Sequence, residues 1–135
     1  MTEGLETNLA FVRERIAVAA RRSGRDPSDI TIMGATKAVP AGVIIEAVEL
    51  GITDFGENWV QEAAGKVQSV QDALLNTQAR PFWHMIGHLQ RNKVKEALAL
   101  FDSIDTIDSL RLAEELSKRA QAAGRALQAL IEVDF

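Results

Sequence analysis

The chain has 135 residues, about the length of one domain, and its 47% hydrophobic and 25% charged residues can build a core beneath a polar surface. Its net charge is −4 with the acidic residues spread out, so it lacks the clustered basic face of nucleic-acid-binding proteins. It has no cysteine, which excludes disulfides and thiolate metal sites, and its first residues resemble neither a signal peptide nor a membrane span.

The amino-terminal third predicts a helix, a strand and a second helix. Helical spacing places four apolar residues of the first segment on one stripe, and Gly24 is suited to end that helix; the four are Leu5, Leu9, Val12 and Ile16. The β-branched segment 30–37 then predicts a strand that ends on Lys37. Pro40 follows and suits the first turn of the next helix, which Gly51 ends.

Four more strand-like segments follow at 52–55, 82–86, 101–104 and 126–135. Helical patterns separate them at about 59–75, 90–100 and 110–123, the last with Leu110, Ala113 and Leu116 turned inward. This alternation indicates βα units with a parallel sheet, either an open doubly wound sheet or part of a (β/α)₈ barrel, which needs about 250 residues when complete. No glycine-rich nucleotide fingerprint is present, which weakens the nucleotide-binding version of the doubly wound sheet.

Polar residues gather where the predicted strands end, as they would in a site at the carboxyl edge of a parallel sheet; they are Lys37, Glu57, Asn58, His84, His88, Asp105, Thr106, Asp108 and Asp134. Asp105 and Asp108 are interpreted as helix caps. His84, which lies within a strand, is either a hydrogen-bonded core residue or a ligand, and the two histidines do not make a metal site. A basic group, Arg91, Lys93 and Lys95, is either an anion site or a solvated face.

Lys37 is the sharpest functional signal. It follows Gly34 and Ala35, small residues that leave room beside its amine, although it could also be a surface lysine in a loop. A lysine in a small, partly apolar pocket is desolvated, which favours the neutral amine, and a neutral amine condenses with an aldehyde to form a Schiff base. Pyridoxal phosphate proteins and class I aldolases both use this reaction.

Three blocks resemble the pyridoxal phosphate homeostasis proteins, single-domain relatives of the N-terminal domain of alanine racemase. The blocks are Ala35-Thr36-Lys37, the segment 55–62 that reads FGENWVQE, and the segment 83–93 that reads WHMIGHLQRNK. The resemblance runs over essentially the whole chain. Departures are mild: Gly34-Ala35-Thr36 stands where the family more often has a Val-Ser pair before the lysine, and Trp59 replaces a common tyrosine.

The resemblance implies the (β/α)₈ TIM-barrel type of α/β fold, that of fold type III pyridoxal phosphate proteins, with an extra N-terminal helix. It implies that Lys37 carries pyridoxal 5′-phosphate as a Schiff base, with Asn58 and His84 beside the cofactor and no catalytic or metal-binding residues. It also implies a cytoplasmic protein that buffers the cofactor and delivers it to pyridoxal phosphate-dependent apo-enzymes. The spread of charge and the lack of a long apolar run at the N-terminus argue against nucleic-acid and membrane partners.

Family members continue for about another hundred residues. Residues 1–135 are therefore expected to be a partial barrel domain with about the first five strands, lacking the phosphate-binding cup. Its last strand would expose an unpaired edge, so self-association is expected.

Two other functions stay open. An amino-acid racemase of the alanine racemase kind needs a tyrosine as second base, and residues 1–135 contain none. A Schiff-base aldolase needs a general acid or base, which His84 or Glu57 could supply. A third possibility is a folding fragment that binds no ligand.

Overall fold

The computed structural model describes the chain from Thr2 to Phe135, and the side-chain environments from Gly4 onward. Within this part there are five α-helices and five strands, and after the first helix strands and helices alternate. The helices are α1 (Thr2–Arg22), α2 (Ala41–Glu49), α3 (Val60–Ala73), α4 (Val94–Leu100) and α5 (Leu110–Ala122). The strands are β1 (Met33–Ala35), β2 (Asp54–Glu57), β3 (Phe82–Met85), β4 (Ser103–Ile107) and β5 (Gln128–Ile131).

The strands form one parallel sheet in the order β1-β2-β3-β4-β5. This order decides between the two predicted architectures. A doubly wound sheet reverses its strand order at a switch point, whereas barrel strands are added in sequence order. The sheet is therefore the barrel type, as the resemblance implied, and it comprises a partial barrel over the described residues.

The helices cover one face of this sheet. Right-handed crossovers that always advance in one direction put every connecting helix on the same side, and α2, α3, α4 and α5 pack in that sequence. Strand residues that point to this side are buried, and the largest are Phe55, Trp83, Met85 and Ile104. Helix residues such as Ile44, Val70 and Val94 complete the core from above.

The opposite face of the sheet carries the alternate strand residues, and in a closed barrel it would be the interior. We call it the open face. Most of its residues are exposed or half-buried: Met33, Ala35, Asp54, Phe82, His84, Asp105 and Ile107. Gly56 and Ser103, which are small, are buried there.

The predicted helices are confirmed, but strand β1, predicted over 30–37, is formed only by Met33–Ala35, and strands β2 and β4 begin two residues later than predicted. Ile52 and Phe101 are buried apolar residues that read as strand starts. Their amide groups instead donate to the ends of the preceding helices, to Ala47 O at 2.9 Å and to Ala97 O at 2.8 Å. An apolar run thus marks burial, and sheet pairing starts only after the chain has left the helix.

Two other expectations need correction. Leu110 was predicted to point inward but is 74% exposed, because α5 buries the stripe Leu112, Leu116 and Ala120. The last strand was predicted over 126–135, but only Gln128–Ile131 pairs with β4. The apolar residues at this edge are exposed: Leu130, Ile131, Val133 and Phe135.

Candidate functional site

Lys37 lies in the turn that follows β1, at the carboxyl edge of the sheet. The amide of Thr36 extends the ladder by donating to Gly56 O at 2.9 Å, and Thr36 is buried on the helix side. Continuing the register of Ala35 with Gly56 by two residues places Lys37 beside Asn58. The Lys37 side chain is exposed and its Nζ makes no hydrogen bond within the described residues. The small apolar pocket expected around this amine is therefore not formed by this part of the chain.

The turn itself is held from the helix side. Ala38 adopts φ +58°, a left-handed conformation that is unfavourable for alanine by about 1–2 kcal/mol. Its amide donates to Glu62 Oε1 at 2.7 Å. Lys66, one helical turn further along α3, donates to Thr36 O at 2.5 Å. The residues before and after Lys37 are thus both anchored to α3.

Lys66 also contacts two carboxylates, Glu57 Oε1 at 2.9 Å and Glu62 Oε1 at 2.7 Å. Burial acts to lower the pKa of Lys66, but the hydrogen bonds with Glu62 and Glu57 outweigh it and raise that pKa above its ordinary value. The pKa of Glu62 is lowered, first by the hydrogen bond from Lys66 and then by that from the Ala38 amide. Lys66 and Glu62 are therefore both held in their charged forms at neutral pH.

Asn58 follows β2 and is half-buried. A β-carbon on Gly87 would lie 2.2 Å from the Asn58 carbonyl oxygen, so only glycine lets the loop after β3 pass this close. A cavity of about 280 Å³ opens beside them at the carboxyl edge, and the side chains of Asn58, Trp59, His88, Gln90 and Lys93 line it. Lys37 and His84 do not line this cavity.

His84 lies on the open face between two aspartates of neighbouring strands. Its Nε2 is 2.8 Å from Asp54 Oδ1 on β2, and its Nδ1 is 2.9 Å from Asp105 Oδ2 on β4. The Phe82 ring packs against it at a centroid distance of 4.8 Å. Because each ring nitrogen faces a carboxylate, the imidazole presents neither nitrogen to a ligand on this face.

Asp105 was predicted to cap a helix, and this was wrong. It lies within β4, where it contacts His84 and accepts a hydrogen bond from the Ser103 hydroxyl. The cap of α5 is Ser109, whose hydroxyl accepts from the amide of Leu112 at 3.1 Å. Asp108 lies 3.2 Å from the exposed His88 instead of capping.

The basic residues after β3 are largely in solvent. Arg91 and Lys95 are exposed, and the Lys93 amine lies 3.6 Å from the Glu96 carboxylate. These positions favour the solvated-face interpretation over an anion site.

A second cavity, of about 460 Å³, lies at the opposite, amino edge of the sheet beneath α1. Residues including Arg13, Ile16, Pro27, Ile32 and Thr53 line it. The predicted site residues Lys37, Asn58 and His84 are not among those that line this cavity. Ligands of parallel α/β sheets bind at the opposite, carboxyl edge.

Within the part of the chain that the structure describes, no helix has the length and apolarity needed to cross a lipid bilayer.

Sequence reasoning missed Asp54, Glu62 and Lys66. Asp54 opens a strand instead of closing it, so the strand-end criterion passed over it. Glu62 and Lys66 read as an ordinary exposed ion pair at i,i+4 on a helix. The sequence did contain a signal, because each charged residue of that pair directly precedes a buried position of α3, Ala63 or Val67.

No protein-family model matches the chain. Among curated proteins, it is 40% identical over 128 residues to the pyridoxal phosphate homeostasis protein of Escherichia coli, covering 95% of this chain and 53% of the relative. It is 36% identical over 127 residues to the protein of the same name from Pseudomonas aeruginosa, covering 94% and 53%. The chain thus spans about half the length of the curated relatives it matches.

Solved structures give the same picture. An unknown protein from Bifidobacterium adolescentis superposes with a TM-score of 0.87 at 31% identity, covering 96% of this chain and 54% of that one. PipY of Synechococcus elongatus, solved with pyridoxal phosphate bound, superposes with a TM-score of 0.70 at 37% identity, covering 92% and 55%. The resemblance drawn from the sequence is confirmed: over nearly its whole length, this chain is homologous to about half of a pyridoxal phosphate homeostasis protein.

Proposed function

We propose that this chain binds pyridoxal 5′-phosphate through Lys37 and acts in intracellular homeostasis of that cofactor. The observation that carries the proposal is the exposed Lys37 amine, at the carboxyl edge of a barrel-type sheet, in a turn anchored on both sides. The bound cofactor in PipY supports the choice of ligand.

The chemical groups of the predicted site residues suit this ligand. Pyridoxal phosphate supplies an aldehyde, with which a lysine amine forms a Schiff base and releases water. Lys37 would provide that amine, and its side chain is not committed to another partner within the described residues. The Asn58 amide can both donate to and accept from a polar ligand, and His84 would form part of the floor beneath it.

We further propose that the protein carries the cofactor and does not catalyse a reaction with it. Both ring nitrogens of His84 face carboxylates, which argues against its use as a free acid or base in an aldolase. Racemisation through a tyrosine is not supported by residues 1–135, which contain no tyrosine. Incubation with each alanine enantiomer and with aldol substrates tests this part, and turnover above the rate of free cofactor would contradict it.

Residues 1–135 would act as a partial cofactor-binding barrel domain in the cytoplasm, where the absence of cysteine is unremarkable. Apo-enzymes that use pyridoxal phosphate would receive the cofactor. The exposed apolar residues near β5 support self-association of this chain, which sedimentation at increasing concentration tests.

The decisive experiment is chemical trapping. The purified chain is mixed with pyridoxal phosphate, its visible absorption spectrum is recorded, and the mixture is reduced with borohydride and digested. Mass spectrometry should then find the pyridoxyl group on Lys37, and the Lys37→Ala variant should lose it. Preferential modification of Lys66 or Lys93 would contradict the assignment.

A further inference from the structure

Four residues on the helix side of the sheet form what we call the Lys66 cluster: Thr36, Glu57, Glu62 and Lys66. We propose that Lys66 is a positioning residue that holds the Lys37 turn in the conformation from which its amine reacts with an aldehyde. This inference rests on the proposed function and assigns a second lysine to it. The reaction itself joins Lys37 Nζ to the aldehyde carbon as a C=N bond, and the aldehyde oxygen leaves as water.

The hydrogen-bonding capacity of Lys66 is fully used. An ammonium group has three donors, and its three acceptors are Thr36 O at 2.5 Å, Glu62 Oε1 at 2.7 Å and Glu57 Oε1 at 2.9 Å. The side chain is only 13% exposed. Lys66 is therefore occupied and screened from solvent, in contrast to the exposed Lys37 amine, so its role is to hold other groups.

The contacts of the cluster bracket Lys37 in the sequence. Lys66 fixes the carbonyl of Thr36, and Glu62 fixes the amide of Ala38. The Thr36 hydroxyl lies 3.0 Å from both Gly56 O and Glu57 Oε1, so its side chain is anchored as well. Ala38 needs such restraint, because an alanine at φ +58° relaxes to a right-handed or extended conformation unless its neighbours prevent it.

The ion pair between Lys66 and Glu57 carries a desolvation cost that is hard to explain if its only role is to stabilise the fold. Glu57 is fully buried, and its second oxygen, Oε2, has no hydrogen-bond partner among the described residues. Buried ion pairs often stabilise proteins no better than apolar residues of the same shape. Control of the Lys37 turn gives this cluster a function that an apolar replacement could not provide.

The test combines two readouts on the 135-residue chain and its Lys66→Met and Lys66→Arg variants. Amide hydrogen exchange by NMR reports the Ala38 N–H without any cofactor. Trapping with pyridoxal phosphate and borohydride then gives the ratio of labelling at Lys37 to labelling at Lys118, an exposed lysine of α5 that serves as internal reference. Lys118→Met is the matched control substitution.

We expect Lys66→Met to speed exchange at Ala38 and to lower the Lys37:Lys118 ratio, each by about tenfold or more, since small losses of orientation have effects of this size or larger. Lys66→Arg should restore part of both, because arginine retains the donors, and Lys118→Met should leave Ala38 exchange unchanged. Glu62→Ala, which alters a partly exposed residue, should also speed Ala38 exchange and lower the ratio, and it decides the question if Lys66→Met fails to fold.

The outcomes separate the two proposals. Unchanged Ala38 exchange and an unchanged ratio in folded Lys66→Met, or in Glu62→Ala, would overturn the positioning role. A wild-type ratio near one would instead refute the assignment of Lys37, while the exchange measurement would still report whether Lys66 holds the turn.

Discussion

Gly87 offers a sharp test of the close packing beside Asn58. Replacing it with alanine adds one methyl group, whose carbon would lie 2.2 Å from Asn58 O and 2.8 Å from the Asn58 Cα. Those atoms would have to separate by more than about 1 Å to reach an ordinary contact distance. The third close atom is the Asn58 carbonyl carbon, also at 2.8 Å, so all three belong to backbone and no flexible side chain can move aside.

Hydrogen bonds also hold the loop at Gly87 itself and at the residue before it. The Ile86 amide donates to Glu57 O at 2.9 Å, and the Thr106 hydroxyl donates to Gly87 O at 2.7 Å. Overpacking costs about 1–3 kcal/mol, and each hydrogen bond lost adds about 0.5–1.5 kcal/mol. We therefore expect Gly87→Ala to lower the free energy of unfolding by about 2–4 kcal/mol.

Gly65 supplies a matched control in the same chain. It lies in the interior of α3, and a β-carbon there would meet nothing within 4 Å. Alanine is a better helix former than glycine by roughly 0.5–1 kcal/mol, so Gly65→Ala should raise the free energy of unfolding by about that amount. The same added methyl group thus has opposite expected effects at the two positions.

Equilibrium urea denaturation, followed by circular dichroism at one fixed protein concentration, measures both changes. The reasoning fails if Gly87→Ala unfolds within about 0.5 kcal/mol of the wild type, the usual range for surface substitutions. It also fails if the two variants shift in the same direction, because the effect would then belong to glycine replacement in general.

Three further predictions concern stability. Trp83→Ala should lower the free energy of unfolding by about 3–5 kcal/mol in urea titration, since the ring is buried and lies 5.5 Å from that of Phe55. Lys37→Ala should change it by less than about 0.5 kcal/mol because the side chain is exposed, and a loss equal to that of Trp83→Ala would show that Lys37 is structural. The folded-state pKa of Glu62 is lowered from its ordinary value of 4.5 by hydrogen bonds from Lys66 and the Ala38 amide. The charged Glu62 therefore stabilises the fold at pH values above 4.5, and this stabilisation is lost as the pH falls through the lowered pKa. The stability difference between wild type and Glu62→Gln should therefore be larger at pH 7 than at pH 3, and a constant difference would contradict this.

The sequence predicted most of the fold because local signals dominate it. Helical periodicity placed α3 close to its observed bounds. The two glycines expected to end helices, Gly24 and Gly51, have positive φ values of 72° and 88°. Strand starts were harder to predict. Ile52 and Phe101 are as apolar as strand residues, and only the hydrogen bonds of the preceding helix ends show that they are not yet in the sheet.

In the candidate site too, some features could be predicted from the sequence and others could not. Lys37 and Asn58 could be assigned to the carboxyl edge because each follows a recognisable strand. The partners of His84 could not be predicted, since Asp54 lies 30 residues away and its side of the sheet depends on the exact strand register. A shift of one residue in β2 would have turned Asp54 away from His84.

The two faces of the sheet have different roles in the site. Sequential parallel strands put every connecting helix on one side, which leaves the open face and the Lys37 amine free for a ligand. The turn that carries Lys37 is nevertheless fixed from the helix side, by Glu62 and Lys66 of α3. Substitutions in α3 that touch no ligand should therefore alter how Lys37 reacts, because the conformation of the turn is set behind the sheet and its chemistry takes place in front of it.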